Sequence, residues 1–417
     1  MSKYIKINFF FILLLYLMIV FSQPAIIYIF YILFICCVNL GVKKKSPLNP
    51  YFIFTISLVS LILYNPKLSY FLIDIPLEIY LLIFSGMSSF LLGMFVVDKS
   101  KMVKKVNTTI SNKKLFWVVL SLGFIPHIIG FMEVGIPILN QNELGEARVD
   151  YLPGGLSYFI FFLPLAITIA FSMKNKKLIL LTIVLNAAIS LVRVSKFDIL
   201  IFVIFLLFSH LKYSQKKSLP IRKYLIFSSV FIAIPLIFDW FHSLRFQQES
   251  DNFNFQLSTT SIFESLSILI SLPYLYLTTA WSNFTQTVLS VTEFNYGAYT
   301  FFPFYSAMQL DGLISKVSSK VIYRHPFNTH AFLTDFYMDF GILGVIIVPF
   351  LIGLLVFYSY KKSLVASDPI KDGQYMILAI PTLMLFFSNH FTSVGYPFIV
   401  YLLYGFIGFL SRIKIKI

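Results

Sequence analysis

Charged residues are scarce in this chain. Of its 417 residues, 12% are charged and 58% are hydrophobic, and the mean hydropathy is +0.83. Soluble domains carry about 25% charged residues, so the composition excludes a soluble enzyme or a secreted domain. Cysteine is rarer still, because only Cys36 and Cys37 occur. Neighbouring residues in a helix cannot form an ordinary disulfide, which excludes a disulfide-stabilised scaffold.

The sequence also lacks motifs for metals and nucleotides. It has six scattered histidines, and His325 and His330 do not have the spacing of a His-Glu-x-x-His zinc site. No Asp-x-Asp pair or Walker sequence occurs, and Asp339-Phe-Gly341 spells the kinase triplet without the motifs that accompany it in kinases. We therefore expect no metal and no cofactor, so any donor substrate must arrive already activated from the membrane.

Long apolar runs recur from one end of the sequence to the other. Because one bilayer crossing takes roughly 17–25 apolar residues, they predict an all-α polytopic membrane protein with about twelve transmembrane helices in a single domain, 1–417. The predicted spans are 7–22, 24–42, 49–64, 76–97, 115–137, 154–173, 178–192, 197–212, 224–241, 329–360, 374–390 and 393–411.

The distribution of positive charge predicts the orientation. On the twelve-span reading, 25 of the 33 lysines and arginines fall on the side that holds both termini. The positive-inside rule then places both termini in the cytoplasm. The net charge of +15 is thus a topology signal, and we expect no nucleic-acid partner.

One connection is far longer than the others. Residues 242–328 form a predicted external loop, which is too long for a simple connector. Its apolar stretches, 268–270 and 274–277, are expected to lie as helices at the outer membrane interface. Its aromatic side chains suit stacking on sugar rings, although an interfacial belt or helix packing is the better explanation for any single one of them. The candidate glycan-binding aromatics are Tyr276, Trp281 and Tyr305.

Cations occur on the side where the rule predicts few. The turn from Arg193 to Asp198, which includes Lys196, joins two apolar spans. Ionisable groups at such depth are costly and suggest function, and arginine suits bidentate contact with phosphate oxygens. The structural alternative is that Arg193 and Lys196 extend to lipid headgroups. The candidate phosphate-binding residues are Arg148, Arg193, Lys196, Arg245 and Arg324.

Polar residues cluster again where the long loop returns to the membrane. Asp335 and Asp339 are four residues apart and so share one helix face. We expect Asn328 or Thr329 to cap this helix. The glycines at 341 and 344 are expected to permit close helix approach. Capping and packing account for part of this pattern, but not for two acids beside the two histidines.

These residues resemble the Wzy-type family of O-antigen and oligosaccharide repeat-unit polymerases. The segment Tyr276 to Phe304 is similar to the family's aromatic loop segment, and the 193 turn resembles its arginine-containing turn. One departure is Ala331, where family members often have a hydroxyl residue. The most specific match is Asn328-x-x-x-Phe332-x-x-Asp335-x-Tyr337-x-Asp339-Phe340-Gly341-x-x-Gly344.

The resemblance implies polymerisation of undecaprenyl-diphosphate-linked repeat units at the outer face of a bacterial cytoplasmic membrane. It implies metal-independent glycosyl transfer, with the phosphate-binding residues above on the diphosphate and Asn328 and His330 on the glycan. Asp335, Asp339 and His325 are the candidate catalytic bases. The implied partners are the lipid-linked oligosaccharide, the bilayer and, in addition, a chain-length regulator and a flippase.

Two other functions remain open. O-antigen ligases share the multi-span plan and a His…Asn…Gly pattern that His325, Asn328 and Gly341 also satisfy. A transporter or flippase of lipid-linked oligosaccharides would be similarly cationic and aromatic. Transporters, however, tend to place ionisable groups near mid-membrane, whereas here they lie near the predicted external ends.

Overall fold

All regular structure in the described part of the chain is helical. The computed structural model describes residues 26–43, 49–69, 71–100, 113–137, 154–193, 195–213, 268–308, 310, 321, 329–365, 368–391 and 396–411. Two 3-10 segments, Pro66–Leu68 and Gly154–Phe161, accompany the α-helices. The α-helices are α1 (Ile27–Lys43), α2 (Pro50–Ile62), α3 (Leu77–Lys99), α4 (Lys113–Val134), α5 (Phe162–Ser172), α6 (Lys176–Val192), α7 (Lys196–Tyr213), α8 (Ile268–Ser290), α9 (Phe302–Ala307), α10 (Leu333–Val365), α11 (Pro369–Leu383) and α12 (Tyr396–Leu410).

Three of these helices, α3, α4 and α10, are long and apolar enough to cross a bilayer. Shorter apolar helices accompany them, such as α1 and α2. The length and composition of these helices are those of a membrane protein. The described residues form helices and no strands, which confirms the all-helical prediction for that part of the chain. Ten predicted spans overlap a helix, and the remaining two, 7–22 and 224–241, lie outside the described residues.

Helices α3 and α10 form the most closely packed pair. A Cβ atom added to Gly93 would lie 2.2 Å from the backbone oxygen of Phe350, and one added to Gly353 would lie 2.2 Å from that of Phe90. Backbone atoms cannot move aside as a flexible side chain can, so both positions require glycine. Small residues allow such close approach between helices in membranes, and here they hold α10 against α3.

Helix α10 is not straight. Gly341 has φ 61° and ψ −142°, which interrupts the helix. A Cβ atom on Gly86 would lie 2.7 Å from the side chain of Leu333 and 2.8 Å from that of Val345. Residues twelve positions apart in a straight helix are about 18 Å apart along its axis. The segment 333–340 therefore folds back on 342–365. Helix α10 is thus a hairpin with a short arm, 333–340, and a long arm, 342–365.

Two lysines, the buried Lys361 and the half-buried Lys212, mark one end of the bundle. The Lys361 ammonium donates to the backbone oxygens of Val97, Asp98 and Ser100, which end α3. Lys212, at the end of α7, pairs with Asp372 in the first turn of α11. We call this the lysine end. These cations satisfy C-terminal carbonyls and a buried carboxylate, as the helix dipole favours.

The opposite end, which we call the arginine end, holds the 193 turn, the start of α10 and residues 384–391. The sequence predicted a span to residue 390, but α11 stops at Leu383. Beyond it, the backbone oxygens of Leu385 and Phe387 accept N–H groups from Phe332 (3.0 Å) and His330 (3.1 Å). The chain leaves the helix because these carbonyls bond to another segment instead of to their own turn.

The α3–α10 contact is directly testable. We expect Gly93→Ala to lower the thermal midpoint in detergent, with a loss of about 1–3 kcal/mol, because the added methyl group meets backbone and overpacks the interface. Gly405→Ala is the matched control, since its Cβ atom would meet only the amide end of Gln374. Equal midpoints for the two variants would contradict this account of the packing.

Candidate functional site

Helix α8 lies within the predicted external loop and includes both of its apolar stretches. Trp281 is fully buried, and its indole N–H donates to the Ser60 hydroxyl at 2.9 Å. Tyr276 is half-buried and packs on Phe387, with ring centroids 5.7 Å apart. Tyr305 is also half-buried. Packing thus explains Trp281, while Tyr276 and Tyr305 retain exposed surface for a ligand.

The Asp339 carboxylate holds another segment of backbone. It is fully buried and accepts the N–H groups of Tyr299 (3.1 Å) and Thr300 (2.5 Å). The backbone oxygens of Met338 and Asp339 accept the N–H groups of Asn295 (2.9 Å) and Tyr296 (3.1 Å). We call residues 291–301 the strap. This arrangement makes Asp339 an anchor for the strap on α10.

The glycines near Asp339 fit the same arrangement. Gly341 has the positive φ that side chains other than glycine rarely adopt, and a Cβ atom there would lie 2.8 Å from the Phe294 ring of the strap. A Cβ atom on Gly344 would lie 2.1 Å from the Phe336 backbone oxygen across the hairpin. The expected close approach at Gly344 is confirmed, and Gly341 supplies the turn itself.

The other acid of the motif, Asp335, pairs with a histidine. The Nε2 atom of His330 lies 3.4 Å from Oδ1 of Asp335, and both side chains are buried. The preceding Thr329 is held by α8, because its hydroxyl lies 3.1 Å from that of Thr279 and its backbone oxygen accepts the Asn283 amide. The expected cap at Thr329 is therefore wrong, since α10 begins only at Leu333.

A second histidine joins this region to the 193 turn. The His390 imidazole stacks between Phe197 of α7 (4.8 Å between centroids) and Phe387 (6.3 Å). It lies in the connection between α11 and α12, where burial lowers its pKa to about 3 and the nearby His330 acts in the same direction. His390 is thus neutral near pH 7. This aromatic stack links the start of α7 to Phe387, whose backbone oxygen accepts the His330 N–H.

Arg193 lies in a narrow cleft at the end of α6. Its guanidinium bonds to the Asp198 carboxylate, and each side chain is 15% exposed. His127 of α4 and Asn186 of α6 line the same cleft. Lys196 begins α7. Arginine and acid thus bond to each other across the turn.

Several predicted site residues lie outside the described residues, so their assignments stay predictions. The structure brings Arg193, His330 and Asp335 to one end of the bundle, together with the anchoring Asp339. Within the described ranges, no group of three or more histidine, cysteine or acidic side chains is arranged to hold a metal ion. The predicted residues outside these ranges are Arg148, Arg245, Arg324, His325 and Asn328.

Sequence reasoning missed His127, Asn186 and His390. His127 and Asn186 are isolated polar residues within apolar stretches, whereas His390 follows Ser388 and Asn389, and all three are buried in the structure. A buried polar group costs free energy unless its surroundings compensate, so an isolated histidine in such a stretch was the available signal. The sequence around such a histidine does not indicate which helix its side chain faces. The cleft therefore could not be predicted from the sequence.

Comparisons with protein-family models, with curated proteins and with solved structures find no match for this chain.

The anchoring role of Asp339 predicts a local effect. Asp339→Ala leaves two strap N–H groups without their acceptor, so we expect a loss of about 1–3 kcal/mol in stability and faster proteolysis between residues 291 and 301. Limited proteolysis with mass spectrometry measures this, and Glu78→Ala, which removes an exposed acid of α3, is the control. Unchanged cleavage in the strap would rule out the anchor.

Proposed function

We propose that this chain is a membrane glycosyltransferase that polymerises undecaprenyl-diphosphate-linked oligosaccharide repeat units. The observation that carries the proposal is that the Arg193 cleft and the buried His330–Asp335 pair lie at the same end of the bundle, linked through the stacked rings of Phe197, His390 and Phe387. Phosphate recognition and proton transfer are the two tasks that such a reaction needs, and these groups suit them. The resemblance of residues 328–344 to the Wzy-type signature supports the same assignment.

The proposed topology has about twelve spans, with both termini in the cytoplasm of a bacterial cell. In this arrangement the lysine end faces the cytoplasm, which agrees with the positive-inside rule. The arginine end, with the strap and α8, then faces outward as part of the external loop. A lipid-linked substrate would reach this end from the outer leaflet, where its diphosphate lies at the level of the headgroups.

The proposed reaction divides into two roles. An acceptor sugar hydroxyl attacks the anomeric carbon of the donor glycan, the bond from that carbon to the diphosphate oxygen breaks, and the hydroxyl proton passes to a base. Arg193 stabilises the negative charge that develops on the departing diphosphate. The His330–Asp335 pair, or His325, accepts the proton. Asp339 takes a supporting role, because both of its oxygens already accept backbone N–H groups.

A direct assay tests this function. Full-length protein in neutral detergent is given a lipid-linked repeat unit, and products are separated by size. We expect longer lipid-linked glycans. Arg193→Ala should slow their formation by about 100-fold or more, since transition-state charge loses a preorganised donor, and Arg193→Lys should recover part of the rate.

Lys177→Ala, which removes an exposed cation at the lysine end, should retain full activity. Transfer of the glycan only to a lipid A acceptor would favour the ligase alternative instead. Movement of the unchanged substrate across vesicles, without longer products, would favour a transporter. If all variants of Arg193, His330 and Asp335 polymerise at the normal rate, the proposed site is wrong.

Cysteine labelling tests the orientation. In a background of Cys36→Ser and Cys37→Ser, the variants Lys177→Cys and Glu293→Cys place one thiol at each end of the bundle. A membrane-impermeant maleimide added to cells with a permeable outer envelope should label position 293 and not position 177. The reverse pattern would invert the proposed topology and remove the site from the outer face.

A further inference from the structure

The Arg193–Asp198 pair joins the end of α6 to the first turn of α7. Ser195 orders the turn, because its hydroxyl accepts the Asp198 N–H at 3.3 Å. The start of a helix also favours negative charge. The start of α7 and the Arg193 guanidinium therefore stabilise Asp198, and they would stabilise an exogenous anion at the same place. Arginine and acid are each 15% exposed, which makes the pair reachable by solvent although it is mostly buried.

The cleft leaves little free space around the pair. Beside the side chains of His127, Asn186 and Ser190 there is room for about one water molecule. A phosphoryl group is several times larger than water, so this space cannot hold one beside the intact Arg193–Asp198 pair. The phosphoryl group and the Asp198 carboxylate both present oxygens that suit the same planar arrangement of guanidinium donors.

We propose that Asp198 is a displaceable internal ligand that occupies the diphosphate position on Arg193 until substrate arrives. The choice of a diphosphate as substrate class rests on the proposed function above. The carboxylate holds the guanidinium in orientation and keeps a buried cation paired in the empty protein. A diphosphate, with more charge and more acceptor oxygens than one carboxylate, displaces it.

Removal of the competing charge tests this exchange. Asp198→Asn leaves the side chain nearly the same size but removes its charge, so we expect inorganic pyrophosphate and farnesyl diphosphate to bind about tenfold more tightly than to the natural protein. Isothermal calorimetry on the full chain in neutral detergent measures both. Asp198→Glu, which restores the charge, should bind as the natural protein does.

Three controls interpret the result. Glu133→Gln removes an exposed acid at the C-terminal end of α4. This variant should leave the affinity for both ligands unchanged, which excludes a general charge effect. Arg193→Gln should abolish the gain when combined with Asp198→Asn. Elution volume and thermal midpoint of each variant establish that it is folded, and if Asp198→Asn is not, Asp198→Ser replaces it in the same titrations.

The outcomes separate the possible ligands. A tenfold gain for pyrophosphate supports the exchange with the diphosphate group alone as ligand, and a gain restricted to farnesyl diphosphate supports it with a prenylated ligand. Unchanged affinity for both would overturn it. Because no glycan is transferred, a positive result stands even if the polymerase assay fails, and active polymerisation with unchanged affinity would refute the exchange alone.

Discussion

The reversal of α10 at Gly341 determines where the candidate residues lie. A single residue with positive φ turns the chain back, so that 333–340 packs against 342–365 instead of continuing it. The turn leaves the Asp339 carboxylate and two neighbouring backbone oxygens to accept N–H groups from the strap. The segment that leads into the hairpin is held by α8 through Thr329 and by residues 384–391 through His330. Without the reversal, residues 333–340 would extend in line with 342–365 instead of packing against them.

Ionisable groups in the bundle follow a second constraint, which is the cost of burying charge in an apolar surrounding. At the lysine end, Lys361 is compensated by the carbonyls that end α3, and Lys212 by Asp372. These contacts complete helix ends and leave little for a ligand. At the arginine end, Arg193 pairs with Asp198 and His330 with Asp335, each across five residues, and the Arg193 and Asp198 side chains each stay 15% exposed.

The sequence predicted the helices well and their packing poorly. Hydrophobic run length is a local property, so the helical assignment and most described span positions followed from it. The end of α11 was placed seven residues too late, because the carbonyls of Leu385 and Phe387 bond to a segment more than fifty residues away. The grouping of Arg193 with Asp198 was readable from a short turn, whereas the contribution of His127 depends on how α4 packs against α5. Such contacts leave no periodic trace in a single sequence.

The use of Asp339 for backbone hydrogen bonds bears on what its surrounding motif can report. A string of acid, aromatic residue and spaced glycines that builds a hairpin reflects a requirement of shape, and shape is compatible with more than one reaction. Proteins that carry this string should share the fold-back of the membrane helix and the docking of a loop upon it. The side chains that surround this hairpin then determine which substrate such a protein acts on, and whether it has any activity.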